Sequence, residues 1–267
     1  MLTTVIGAYP KPNYLKITDW FNAKGGTDTS NPTKFYEEEI KKMGEEAEEL
    51  FSKAAKQVIQ DQDDCGIDII TDGELRRENY IHYHCRHLEG VDFDTLTEKV
   101  ARTGNYKCWL PTITNKVKSK DEFLVKEWEN NQALTSTPVK VTIPGPMTIT
   151  DTIANTYYKS DEEMGYDLAI AINTEIQRLV EAGCKYIQVD EPLFARKPEN
   201  ALNFGISNLE KCFEGINDSS IEKITHICCG YPDKIDAINY PKAPLNSYNK
   251  IAKALDNSII DSVSIED

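Results

Sequence analysis

His226 and Cys228 stand two residues apart in the run Lys223-Ile224-Thr225-His226-Ile227-Cys228-Cys229-Gly230, which reads as a short buried strand ending in a polar cluster. Side chains alternate across a strand, so the imidazole and the thiol share one face and Ile227 takes the other. Glu266 closes the next strand-like run, 261–267, and adds a carboxylate. An imidazole, a thiolate and a carboxylate together suit zinc. An isolated His-x-Cys is more often a satisfied buried histidine beside a structural cysteine, so these residues alone do not decide for a metal. Carboxylates also gather where other strands end: Asp72-Gly73-Glu74-Leu75-Arg76-Arg77 follows the apolar run 66–71, and Asp190-Glu191-Pro192 follows 186–189. A second group of potential ligands, His82, His84, Cys85 and His87, is weaker. No helix or strand register puts more than two of those four side chains on one side, and a structural or lid role is expected for them.

The elements that must position these residues alternate in type. Residues 2–6 form a short β-like run that stops at Gly7-Ala8-Tyr9-Pro10, a turn whose backbone groups are free to face a ligand. Residues 35–62 read as one long amphipathic helix, with Ile40, Met43, Ala47, Leu50, Ala54 and Val58 on its apolar stripe. Residues 66–71 are the second strand. From 78 to about 137 the rhythm breaks into mixed aromatics and a charged helical piece near 121–134, which predicts a long excursion over the mouth of the fold. The third strand, 139–143, closes on Pro144-Gly145-Pro146-Met147-Thr148. Ser160 and Glu163 make a capping box for a helix whose stripe is Leu168, Ile172, Ile176 and Leu179 and whose stop is Gly183. Further helices at 208–213 and 247–255 precede the strands of His226 and Glu266. Strand and helix alternating six times predict parallel strands with right-handed crossovers. Polar residues at every strand end favour a TIM-type (β/α)8 barrel over an open doubly wound sheet. No glycine-rich phosphate loop follows the first strand, so no dinucleotide is expected.

Composition narrows the class. At 267 residues, 28% charged and 40% hydrophobic, the chain suits a single barrel domain over 1–267. It has no apolar run long enough to cross a bilayer and no signal peptide, which predicts a cytoplasmic protein. Seven cysteines without framework spacing predict reduced thiols. A net charge of −14 argues against nucleic acid and anionic membranes as partners and leaves small molecules. Only about six β/α units can be counted, about two short of closure, so the barrel is expected to be incomplete at its carboxyl end.

Taken in order, Ile6-Gly7-Ala8, Asp72-Gly73-Glu74-Leu75-Arg76, Pro144-Gly145-Pro146-Met147-Thr148, Ile187-Gln188-Val189-Asp190-Glu191-Pro192, Thr225-His226-Ile227-Cys228 and Val263-Ser264-Ile265-Glu266 resemble the catalytic barrel of cobalamin-independent methionine synthase. The resemblance implies a zinc-dependent transfer of a methyl group from 5-methyltetrahydrofolate, as the polyglutamate, to homocysteine, giving methionine. It implies that His226, Cys228 and Glu266 are zinc ligands, with a fourth, a cysteine, beyond residue 267, where the general acid is also expected. It implies that Glu74 and Asp190 hold the amino group of homocysteine and that the backbone of Ile6, Gly7 and Ala8 meets its carboxylate. Glu191 is expected to brace the site. The chain departs from the family at Ala8, where a serine is usual, in a longer connection between Cys228 and Glu266 that carries Tyr231-Pro232-Asp233 and Tyr240-Pro241-Lys242, and in lacking the usual N-terminal half. These departures leave two alternatives: a corrinoid-dependent thiol methyltransferase fed by a methyl-corrinoid, and a truncated barrel without catalysis.

Overall fold

The computed structural model describes residues 1–18, 30–101, 106–229, 242–244 and 246–266. In chain order the elements are α1 (Ser30–Met43), α2 (Glu45–Asp64), β1 (Ile70–Thr71), α3 (Tyr80–Cys85), β2 (Leu88–Ala101), β3 (Tyr106–Ser119), α4 (Leu124–Gln132), β4 (Val139–Pro144), α5 (Pro146–Thr152), β5 (Ala154–Asn155) and α6 (Asp161–Ala182). They continue with β6 (Tyr186–Asp190), α7 (Leu193–Arg196), α8 (Pro198–Asn200), a π-helical turn at Ala201–Gly205, α9 (Ile206–Cys212), β7 (Glu222–Ile227), α10 (Asn246–Asp256) and β8 (Ser262–Ile265). Gly230, Tyr231-Pro232-Asp233, Tyr240-Pro241 and Asp267 lie outside the described residues.

Five strands form one parallel sheet in the order β1-β4-β6-β7-β8. Neighbours in the sheet follow their order along the chain, so the sheet winds one way, as a TIM barrel does, and has no reversal of the doubly wound kind. Residues 2–6 add one parallel bridge, Thr4 with Ile69, where a full strand was expected, and Asp68 ties Thr3 through its backbone N–H and hydroxyl.

Register decides which side chains share a face. Thr71 pairs with Lys140, Thr142 with Gln188, and Asp190 with His226, which pairs with Ser264. Paired residues in parallel strands point the same way, so these polar groups line the inner face. The alternate residues, Val139, Val141, Ile143, Ile187, Val189 and Ile227, face outward into a core shared with Leu168, Ile172, Ile176 and Leu179 of α6. That helix has the expected caps: the Ser160 hydroxyl accepts from the Glu163 N–H at 3.2 Å, and Gly183 takes φ 104°.

The single helix expected over 35–62 is two helices. Gly44, at φ 58°, breaks the run between α1 and α2, a left-handed conformation that disfavours other residues. The apolar stripe survives the break: Ala47, Phe51, Ala54 and Val58 pack with Leu15, Tyr36, Leu75 and Tyr83 in a second core.

The excursion contains a long antiparallel hairpin, β2 with β3, that the sequence did not suggest because its register shifts twice, between Glu89 and Val91 and between Asp92 and Thr97. Those irregularities erase the two-residue alternation by which a strand is read. β5 extends the hairpin into a three-stranded sheet. Lys99 on β2 donates to the carbonyls of Thr150, Asp151 and Ile153 at 3.3, 2.7 and 3.0 Å, capping the end of α5 and docking the hairpin beside the carboxyl end of β4. Among the described residues no helix is long and apolar enough to cross a membrane.

Candidate active site

The site is built where the inner-face residues meet the loops at the carboxyl ends of the strands. Glu74 sits just after β1 at φ 56°, the only non-glycine residue with positive φ among the described residues. Strain of this kind persists where the surroundings fix it, and here they do. The Thr142 hydroxyl donates to Glu74 Oε1 at 2.7 Å, and Arg77 reaches the same oxygen at 3.3 Å while donating to the Thr142 hydroxyl and carbonyl at 2.9 Å each. Gly7 makes the close approach possible, since a Cβ there would stand 2.5 Å from Glu74 Oε1.

Asp190, at the end of β6, is buried, and Gln188 donates to its Oδ1 at 2.7 Å. Burial first, then the negative charge of Glu74, push its carboxyl up to about 7. An acid in that state is poised to ionise when a positive group arrives. Glu191 is fully buried and accepts from the Met147 and Thr148 N–H groups and the Thr148 hydroxyl, at 2.9, 2.9 and 2.8 Å, at the start of α5. It has no room to face a ligand, which agrees with a bracing role.

His226 is buried, and its Nδ1 lies 3.0 Å from the Ser264 hydroxyl. Its Nε2 is buried with no partner among the described residues. Burial, then the charge of Lys140, hold the ring down to about 4, so it is neutral at pH 7. With Nδ1–H donating to Ser264, Nε2 carries an unused lone pair, the form in which imidazole binds a metal. That orphaned nitrogen fits the zinc implied by the sequence. Cys228 is buried and not in a disulfide; the neighbouring Cys229 packs in the outward core, as the alternation requires. Glu266 is turned to other partners: Oε1 pairs with Lys242 at 2.9 Å and Oε2 accepts from the Cys229 N–H at 2.9 Å. Among the described residues no three His, Cys, Asp or Glu side chains gather as a metal-holding group. The ligand chemistry is therefore present at His226 and Cys228, whereas Glu266 would have to exchange Lys242 for a metal.

The rival cluster forms no metal-holding group among the described residues, although His84 Nε2, like His226 Nε2, is buried without a partner among them. His82 bonds the Thr33 hydroxyl at 2.7 Å, His84 bonds the Tyr80 carbonyl at 2.9 Å, His87 bonds Asp121 and stacks on Phe123 at 3.8 Å, and Cys85 is buried with its thiol pushed up to about 12 by desolvation.

Four site residues escaped the sequence reading: Arg77, Lys140, Thr142 and Gln188. Lys140 and Gln188 are polar residues on the inward phase of apolar strands, and that alternation was the available signal. Lys140 is 2% exposed, and its ammonium donates to Val5 O at 2.7 Å and Gln188 Oε1 at 2.6 Å.

Residues 1–228 match the family described as the catalytic domain of cobalamin-independent synthase. The methionine synthase of Sulfolobus acidocaldarius is 32% identical over 274 residues, spanning 97% of this chain and 74% of that protein. That of Sulfurisphaera tokodaii is 32% identical over 97% of this chain and 75% of its own length. A B12-independent methionine synthase from Shewanella sp. W3-18-1, solved in complex with selenomethionine, superposes with a TM-score of 0.81 at 30% identity, covering 98% of this chain and 72% of that one.

Proposed function

The chain belongs to the cobalamin-independent methionine synthase family, and from that premise we propose that it moves a methyl group from 5-methyltetrahydrofolate, as the polyglutamate, to the thiol of homocysteine with zinc as cofactor. The observation behind this reading is the convergence on one barrel face of two carboxyl groups, Glu74 and Asp190, with the unpaired Nε2 of His226. Two carboxyl groups suit an amino acid's ammonium, and a buried imidazole lone pair suits a metal that takes the thiol.

In this reading the ammonium of homocysteine lies against Glu74 and Asp190, which fixes the direction from which its sulfur approaches. Arg77 and Thr142 keep the Glu74 carboxylate from turning away. The substrate carboxylate meets the backbone of Ile6, Gly7 and Ala8; the methyl side chain of Ala8 offers it no hydroxyl. His226 through Nε2 and Cys228 would hold the zinc, with Glu266 as a further ligand if it left Lys242 and the Cys229 N–H. When bound, zinc supplies the charge that removes the thiol proton at neutral pH. The sulfur–carbon bond forms as the carbon–nitrogen bond of the donor, protonated beforehand at that nitrogen, breaks; the electron pair stays on the nitrogen, which leaves as the neutral secondary amine, and the acid that protonates it is expected beyond residue 267. The corrinoid-donor alternative has no observation in its favour.

The test is zinc content together with methyl transfer to homocysteine from methyltetrahydrofolate polyglutamate and, in parallel, from methylcobalamin. Wild-type protein is expected to hold zinc and form methionine from the folate. His226→Ala and Cys228→Ser should lose the metal and the activity together. Methionine formed from methylcobalamin alone would overturn the donor; a protein that holds no zinc and forms no methionine from either donor would be a barrel without this catalysis.

A further inference from the structure

Three successive carbonyls at the start of the chain are held from three different strands. Lys140 on β4 donates to Val5 O at 2.7 Å, Gln188 on β6 donates to Ile6 O at 2.9 Å, and Thr71 on β1 donates to Gly7 O at 2.7 Å. A trans peptide unit is planar, so the N–H of each following residue points opposite to the carbonyl before it. Fixing the carbonyls of Val5, Ile6 and Gly7 therefore fixes the directions of the N–H groups of Ile6, Gly7 and Ala8. Among the described residues none of those three N–H groups donates within the chain. N–H groups held in place and without a partner in the chain are open to an anion that reaches them.

The same network reaches the other end of the site. Gln188 Oε1 accepts from Lys140, and its amide nitrogen donates both to Ile6 O and to Asp190 Oδ1. Lys140 thus sets the orientation of the Gln188 amide. With the lysine donating to Oε1, only the nitrogen side is left for Ile6 and Asp190. Burying an ammonium inside a barrel is costly unless its bonds are used; a packing role alone would be filled more cheaply by an apolar side chain. Burial lowers the Lys140 ammonium to about 8, against the neighbouring charges of Asp190 and Glu74.

We propose that Lys140 is a positioning residue for the amino-acid end of the substrate: through Val5 and Gln188 it holds the Ile6–Gly7–Ala8 backbone as the receptor for an α-carboxylate and so makes the enzyme selective for an amino-acid ligand over a plain amine. This rests on the functional reading above. The discriminating experiment measures dissociation constants of methionine and of 3-(methylsulfanyl)propan-1-amine, the same molecule without its carboxylate, for wild type, Lys140→Met and Gln188→Leu. Both ligands carry the ammonium, so any disturbance of Asp190 or loss of general integrity weakens them alike and cancels in the ratio. Wild type is expected to prefer methionine by roughly a hundredfold or more, and both variants to lose about tenfold or more of that preference. Gln188→Leu leaves the charge unchanged and decides the matter if Lys140→Met does not fold. Folded variants that keep the wild-type ratio, or a wild type that binds both ligands equally, would overturn the proposal. A wild type that binds neither ligand counts against the functional reading itself.

Discussion

With burial and Glu74 holding Asp190 up to about 7, the arrival of an ammonium group has a definite proton cost. The positive charge favours the ionised carboxyl, so its pKa falls in the complex and a proton is released when binding occurs between that lowered value and about 7. Methionine affinity is expected to climb as pH rises from 6 to 8 and then level off, because ligand binding is linked to loss of that proton. Calorimetry in two buffers of different ionisation heat should show proton release near pH 6 that falls away by about pH 8. Asp190→Asn should weaken binding by roughly tenfold to a hundredfold, the worth of a charge-assisted hydrogen bond, and flatten the pH dependence. A pH-independent wild-type affinity would remove Asp190 from the ammonium site. Glu74, held by Arg77 and Thr142, should retain its geometry in that variant.

At the scale of elements, two helix starts differ in how much rests on one side chain. Ser160 caps α6 at the surface, and Ser160→Ala should cost about 1 kcal/mol. Glu191 takes three donors at the buried start of α5, where a Cβ on Gly145 would stand only 2.2 Å from its carboxylate. Glu191→Ala leaves those donors unpaired and should cost roughly 2–4 kcal/mol, with a loss of activity because α5 and the loop after β4 frame the site. Denaturant unfolding of both variants gives the comparison, and equal costs would show that Glu191 is not the brace described. The α6 cap was legible from Ser160, Glu163 and Gly183, since capping depends on neighbours in sequence. The break at Gly44 was open to the same kind of reading, but the continuous apolar stripe across it masked the glycine.

For the whole molecule, the buried titrating groups set how stability follows pH. Asp190, Glu191 and Glu127 are raised by desolvation to about 7, 8 and 7. Each holds its proton in the folded state where the unfolded chain has lost it, so stability falls as pH rises toward these values. His226 and His82, lowered by desolvation to about 4, act in the opposite sense between 4 and their ordinary value of 6.5, where the unfolded chain binds protons that the folded one does not. Below 6.5 the two sets oppose one another; above it the carboxyl groups act, joined by the self-repulsion of the net charge of −14, and are opposed only as pH approaches 8 by Lys140, which burial lowers to about 8. Thermal unfolding is therefore expected to give a melting temperature that declines from pH 6.5 to 8. A rise over that interval would mean that these carboxyl groups are ionised without penalty in the folded protein.

What the sequence determined by itself was whatever depends on local order: strand–helix alternation and hence the barrel winding, polar strand ends at Glu74, Asp190 and His226, and the parity that sets Cys228 apart from Cys229. What only the tertiary structure decided depends on register between strands far apart in the chain. The lysine at 140 becomes a site residue because β4 pairs with β6 so that its ammonium meets Gln188, 48 positions on, and Val5, 135 positions back. Glu266 likewise has the right chemistry at the right strand end, yet its partners are Lys242 and the Cys229 backbone, a choice made by the packing of loops. Side-chain type and spacing fix which groups a strand can offer to its inner face; which of them touch is fixed by how the parallel strands are staggered, and no local pattern records that.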